Sequence, residues 1–117
     1  MVSIALKDVV GTGDIDAPAL ARKLRLSMVE LAQLARVSRN TLSAVPLGPK
    51  AREALSPIVR ILSVASEMAG SEHDAVVWFK YTPIVSMGVK TAEEHVRAGD
   101  ADIVLTHLED VQNGVYA

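Results

Sequence analysis

The chain has 117 residues, a formal net charge of −2 at pH 7 and no cysteine. This length suits one domain, or two small modules that share a core. Half of the residues are hydrophobic but only 3% are aromatic, which favours packed helices over a sheet rich in aromatic and β-branched residues. Without cysteine, the chain can form neither a disulfide bond nor a thiolate metal site.

The N-terminus lacks the pattern of a secretory signal peptide, because Lys7 and Asp8 interrupt its apolar stretch. The most apolar later run, residues 57–70, contains Arg60 and Glu67 and is too short to cross a bilayer. We therefore expect a cytoplasmic protein that does not engage a membrane. The sequence leaves the role of residues 1–13 open.

The charges are unevenly distributed along the chain. Residues 1–60 contain nine Lys or Arg and five acids, a balance of +4. Residues 61–117 contain three bases and nine acids, a balance of −6. A basic front half suits contacts with phosphates, whereas an acidic back half repels DNA. The back half is therefore expected to serve another partner, although solvated helix faces explain the same pattern.

A first helix is predicted from Pro18 to about Leu24, because proline is favoured in the first turn of a helix. Residues 27–45 then have the apolar spacing of two short helices that meet at a tight turn, which is a helix-turn-helix. Ser27 and Glu30 form an S-x-x-E capping box at the start of this motif.

The turn and the second helix of this motif depart from the usual pattern. Arg36 occupies the turn position that often holds glycine, and a non-glycine residue with positive φ costs about 1 kcal/mol there. Pro46 makes the second helix short, because it disfavours helical geometry at the residue before it.

The second helix of such a motif is the one that enters the major groove of DNA. The residues predicted to contact bases or phosphates are Ser38, Arg39, Asn40 and Ser43. The same spacing also occurs in helical bundles that never bind nucleic acid, so both alternatives stay open for this segment. Because two half-sites need two recognition helices, DNA binding of this kind also implies a homodimer.

Two helices are predicted after the motif. Residues 50–55 are helical, and Ser56 with Pro57 caps and restarts a longer helix that runs to Met68 and ends at Gly70.

The back half is predicted to contain three more helices that begin at capping residues. One begins at Ser71 and runs through Trp78, with Trp78 and Phe79 in the core, and residues 83–88 form a loop. A further helix begins at the capping box of Thr91 and ends at Gly99.

The last predicted helix spans residues 101–113, with Asp100 as its cap and Gly114 as its end. These patterns together predict an all-α fold, a compact helical bundle with an N-terminal helix-turn-helix and a C-terminal helical module.

The sequence contains no pattern that indicates catalysis or metal binding. The histidines are far apart, without the i, i+4 spacing of a helical metal site, and no serine lies in a G-x-S-x-G motif. Asp100 and Asp102 are better explained as helix-start acids than as a catalytic pair. We predict a non-enzyme with no catalytic residue, metal or cofactor. The histidines expected at surface or capping positions are His73, His95 and His107.

The back half also contains a characteristic series of residues. Trp78 precedes a proline-containing loop, a glycine, a Thr-Ala helix start at Thr91, Gly99, an amphipathic last helix and a terminal Gly-Val-Tyr-Ala. This series resembles the toxin-binding domain of the MbcA/ParS/Xre antitoxin family. Members of that family also have an Xre-like helix-turn-helix, and V-S-R-N-T-L at residues 37–42 is similar to its I-S-x-R-T-L. The resemblance covers about residues 17–117.

The resemblance implies an antitoxin of a type II toxin-antitoxin system. Its partner is a RES-domain toxin that consumes NAD or uses it for ADP-ribosylation, and the C-terminal region of the antitoxin covers the entrance of the toxin active site. The toxin-binding residues implied in this way are Gly114, Val115, Tyr116 and Ala117. The implied organisation is an N-terminal segment (1–13), a helix-turn-helix module (14–49), connecting helices (50–77) and a toxin-binding module (78–117).

The resemblance also implies that the helix-turn-helix binds the promoter of its own operon. Here this chain has Ser43-Ala44-Val45 where the family often has arginines, which weakens the expectation of autorepression more than that of toxin binding. The alternative function is a free-standing dimeric helix-turn-helix regulator of transcription.

The end of the chain is apolar, although a mobile tail is ordinarily polar. Val115 and Tyr116 are explained if they dock into a partner, because tyrosine buries a large ring and still offers a hydroxyl group. Packing against the protein's own core explains them equally well.

Overall fold

The computed structural model describes residues 15–114, which form seven α-helices, one short 3₁₀-helix and one two-stranded sheet. The predicted all-α class is confirmed. None of the helices in this range is both long enough and apolar enough to span a bilayer. The helices are α1 (Ala17–Leu24), α2 (Met28–Ala35), α3 (Arg39–Ser43), α4 (Pro49–Ala69), α5 (Glu72–Tyr81), the 3₁₀-helix (Val85–Met87), α6 (Ala92–Arg97) and α7 (Ala101–Gln112).

Local side-chain caps determine where the front helices begin. Asp16 caps α1, because its side chain accepts a hydrogen bond from the backbone of Ala19 at 3.0 Å. The predicted capping box of α2 is confirmed: the Glu30 amide donates to the Ser27 hydroxyl at 3.0 Å, and the Ser27 amide donates to the Glu30 carboxylate at 2.8 Å.

These capping bonds favour the ionised carboxylate. The pKa of Glu30 lies below its ordinary value because the Ser27 amide, and then the Ser27 hydroxyl, donate to its side chain. The second predicted box, at the start of α6, has the same form, and the Thr91 amide is the largest cause of the lowered pKa of Glu94.

The helix α4 corrects the sequence prediction, which placed a break at Ser56 and Pro57. The structure has one continuous helix from Pro49 to Ala69 with Pro57 in its interior. Proline there lacks an amide to donate to the Glu53 carbonyl and disfavours helical geometry at Ser56. Packing overrides this local cost, because the buried residues recur at helical spacing on both sides of the proline. They are Ala51, Leu55, Ile58, Ile61, Leu62 and Ala65.

Two further predictions in the middle of the chain are corrected. The helix α5 continues past Trp78 to Tyr81, and its last turn is closed by the Thr82 amide, which donates to the Trp78 carbonyl at 3.1 Å. The predicted loop at residues 83–88 is wrong, because it contains strand β1 (Pro83–Ile84) and the 3₁₀-helix. Strand β1 pairs antiparallel with β2 (Lys90–Thr91). Strands of two residues are too short to show an alternating pattern in sequence.

The helix α4 packs against α5 and α7, and it also contacts α2 and α3. The buried apolar side chains form one cluster that draws on all seven α-helices. Phe79 is its largest fully buried member and Trp78 packs against it half-buried, so the predicted core positions of these two residues are confirmed. The proposed division into modules at residues 14–49, 50–77 and 78–117 stays a prediction.

Replacing Pro57 with alanine is expected to stabilise the protein. The substitution restores the amide to Glu53 carbonyl hydrogen bond in α4, and alanine is about 3 kcal/mol more favourable than proline inside a helix. Proline also reduces the conformational entropy of the unfolded chain. Removing it raises that entropy, which offsets about 1 kcal/mol of the gain in stability. The free energy of unfolding, measured by urea denaturation, should therefore rise by about 2 kcal/mol.

Pro49→Ala is the matched control, because Pro49 lies in the first turn of the same helix, where proline is favoured. This variant is expected to be slightly destabilised. Equal effects of the two substitutions would contradict the internal position of Pro57.

Candidate functional site

The helices α2 and α3 pack against each other as a helix-turn-helix. Arg36 follows α2 in the left-handed conformation, with φ 61°, as its place in the turn predicts. Val37 fills the turn: its amide donates to the Ala32 carbonyl at 3.0 Å, and its side chain packs against the core. The structure therefore has the local geometry of the predicted motif, although α3 is only five residues long.

All four predicted DNA-contacting residues are exposed and lie at or within α3. Two of them already make local hydrogen bonds. The Ser38 hydroxyl caps α3 by accepting from the Thr41 amide at 3.2 Å, and the Ser43 hydroxyl donates to the Arg39 carbonyl at 3.0 Å. Arg39 and Asn40 are thus the stronger candidates for contacts with bases or phosphates.

Arg36 also joins the helix-turn-helix to the back half of the chain. Its guanidinium donates to the Arg97 carbonyl at 3.1 Å, at the C-terminal end of α6. A cation is favoured there by the partial negative charge of the helix end. The same guanidinium lies against Gly99, which has φ +94°. Sequence reasoning missed this contact, because 61 residues separate its partners.

Polar contacts also join α1 to α5. The Lys80 ammonium of α5 donates to the Leu24 carbonyl at the end of α1, at 2.7 Å. Lys23 forms an ion pair with Glu72, and the Lys23 side chain is only 5% exposed. These contacts join α1 to the back half, whereas Arg36 joins the helix-turn-helix to it.

The helix α7 ends the described part of the chain. It begins at Ala101, with Asp100 at the N-cap position as predicted, but the Asp100 side chain makes no capping hydrogen bond. It buries Val104 and Leu108, and the turn after it reaches Gly114, which is exposed and has φ +79°. The other predicted toxin-binding residues, Val115, Tyr116 and Ala117, lie outside the described residues, as does the N-terminal segment 1–13.

A groove lies between the 3₁₀-helix and the outer face of α7. We call it the acidic groove; its cavity has a volume of about 270 Å³. Its wall on the 3₁₀-helix is positioned by His95, whose Nε2 is 2.8 Å from the Met87 carbonyl. Because a carbonyl only accepts, this ring nitrogen donates the proton. The residues that line the groove include Met87, Asp102, Ile103, Thr106, His107 and Asp110.

The acidic groove was not predicted as a site, although the sequence contains a signal for it. Residues 98–117 contain four acids and neither lysine nor arginine. On α7, Ile103, Thr106, His107 and Asp110 recur at helical spacing and so share one face. Across the described residues 15–114, no group of three or more His, Asp or Glu side chains is arranged to hold a metal ion.

Replacing Arg36 with alanine is expected to lower the free energy of unfolding by about 1 kcal/mol, because it removes an exposed charged hydrogen bond to the Arg97 carbonyl. Arg25→Ala is the matched control, since Arg25 ends α1 in the same left-handed conformation, with φ 57°. Its substitution should change stability by less than about 0.5 kcal/mol. Urea denaturation measures both; equal losses would show that the contact contributes nothing.

Comparison of the chain with models of protein families, with curated proteins and with solved structures finds no match. The likeness to the MbcA/ParS/Xre antitoxins therefore depends on the residues that carry it.

Proposed function

We propose that the protein is an antitoxin of a type II toxin-antitoxin system that binds and neutralises a RES-domain toxin. The toxin consumes NAD or uses it for ADP-ribosylation, and the C-terminal region of this chain covers the entrance of its active site. The observation that carries the proposal is the position of α7, which presents an acidic outer face and reaches Gly114 immediately before the apolar residues Val115 and Tyr116.

The packing of α7 supports a role in binding a protein. Val104 and Leu108 anchor its inner face in the core, whereas Ile103 is 51% exposed on the outer face. An exposed apolar side chain bordered by acids is a typical element of a protein interface, in which an apolar centre is surrounded by a polar rim. These inner contacts fix the position of α7, which leads to Gly114.

Promoter binding through α3 is the second part of the proposal. Arg39 and Asn40 are exposed at its start, and both side-chain types make bidentate contacts with bases. Binding to two half-sites requires a homodimer. Because both the toxin and the promoter are found in the cytoplasm, the proposed location is cytoplasmic.

Residues 115–117 are called the tail, and their role in toxin binding is tested by deleting them. In cells that express the proposed RES-domain toxin partner, the full chain is expected to restore growth and the truncated chain to fail. The deletion lies beyond α7, so the melting temperature of the purified protein should stay unchanged. The double variant Val115→Ser/Tyr116→Ser is the control for tail length and should also fail. If the truncated chain protects cells as well as the full chain, the tail assignment is wrong.

Binding to the promoter is tested with Arg39→Ala and Asn40→Ala in fluorescence anisotropy with the operon's promoter DNA. Each substitution is expected to cost about 1–3 kcal/mol of binding free energy. Arg60→Ala is the matched control, because Arg60 lies on α4 and pairs with Glu109 on α7 at 3.4 Å. Unchanged binding by the two α3 variants would contradict the recognition-helix assignment. Promoter binding without growth rescue would favour the free-standing regulator.

A further inference from the structure

We propose that the acidic groove is a second docking site for the toxin, which receives a large apolar side chain flanked on both sides by Lys or Arg. This inference rests on the proposed function and specifies the chemistry of the partner. The apolar centre of the site is Ile103 with Met87, and its acidic ends are Asp102 and Asp110.

The dimensions of the groove favour a protein side chain over a small ligand. Its volume of about 270 Å³ is close to the lower limit of the roughly 300–1,000 Å³ that is typical of small-molecule sites. A shallow site of this size suits an anchor residue of a protein partner, since such residues fill small pockets at the centre of interfaces. Val85, which is 80% exposed on the same 3₁₀-helix, extends the apolar surface beyond the groove.

The charges of the groove specify a basic partner. Asp102 and Asp110 are eight residues apart on α7, which places their backbones about 12 Å apart along the helix axis. Neither lysine nor arginine occurs among residues 98–117 to neutralise them within this segment. A partner with two basic side chains at a similar separation matches this arrangement, and the opposite charges also accelerate association.

Both walls of the groove are held in place before any partner binds. One wall is fixed by the pairing of β1 with β2 and by the contact of His95 with Met87. The other wall is α7, which is anchored through Val104 and Leu108. A preformed site avoids the entropy cost of ordering side chains and loops on binding.

The position of the groove relative to the tail agrees with a shared interface. Asp110 lies four residues before Gly114, which is about one helical turn. A toxin that contacts Val115 and Tyr116 therefore lies close to the acidic groove. One binding surface on the toxin can therefore contact both these two residues and the acidic groove.

The charge prediction is tested with Asp102→Lys/Asp110→Lys in the full chain, by measuring its affinity for the purified RES-type toxin by calorimetry. The affinity is expected to fall about tenfold or more, because the attraction becomes a repulsion. The affinity of the unmodified chain should also weaken as salt rises, and that of the variant should not. Glu53→Lys/Asp74→Lys makes the same change in net charge at two exposed acids outside the groove and should bind within about twofold of the unmodified chain.

The apolar anchor is tested separately with Ile103→Ser, which is also expected to weaken binding about tenfold. Val77→Ser is its control, because Val77 is a comparably exposed β-branched residue on α5. Circular dichroism melts of all variants separate a loss of binding from a loss of folding.

The outcomes distinguish this inference from the proposed function. If the unmodified chain fails to bind the toxin, both are overturned. If it binds and the groove variants bind equally well, only the groove assignment is overturned. If the groove variants instead change the oligomeric state of the free chain in light scattering while toxin affinity is retained, the groove is an interface between copies of this chain and the inference is wrong.

Discussion

The apolar face of α4 is the constraint on which the rest of the structure depends. This helix is the longest in the described chain, and it packs against both α5 and α7 while also contacting the helix-turn-helix. Its buried residues continue at helical spacing past Pro57, so the core keeps the helix intact where the backbone alone would favour an interruption. Because α7 packs on the same helix, the acidic outer face of α7 and the exposed surface of α3 are both positioned by α4.

Polar contacts between distant residues help to fix how the two halves of the chain are oriented, which apolar packing alone does not determine. Hydrophobic contacts are not directional, whereas a hydrogen bond requires a particular distance and angle. The bonds from Arg36 to the Arg97 carbonyl and from Lys80 to the Leu24 carbonyl each connect one half of the chain to a helix end in the other. Such bonds satisfy backbone carbonyls that a helix leaves without partners at its C-terminus. The helix-turn-helix and the acidic groove are therefore parts of one packed unit, whose two sequence halves have opposite net charges.

Features that depend on neighbouring residues could be predicted from the sequence, and features that depend on distant ones could not. The capping boxes at Ser27 and Thr91 involve residues three positions apart, so their residue types suffice to locate them. The conformation of Arg36 followed from its place after α2. Its bond to Arg97, by contrast, requires the packing of α2 on α6, which no local pattern specifies. The acidic groove depends likewise on the 3₁₀-helix, which was predicted as loop.

The size of a stable interface means that, under the proposed function, residues 115–117 alone are insufficient for tight binding of a toxin. Specific complexes bury about 800 Å² on each partner, contributed by roughly 20–30 residues. The three residues after Gly114 cannot supply this area, so neighbouring surface on the folded domain has to contribute. The outer face of α7 lies close to Gly114 in the chain, and it combines exposed Ile103 with acids. If the chain neutralises a toxin as proposed, binding thus requires the folded surface of α7 in addition to residues 115–117.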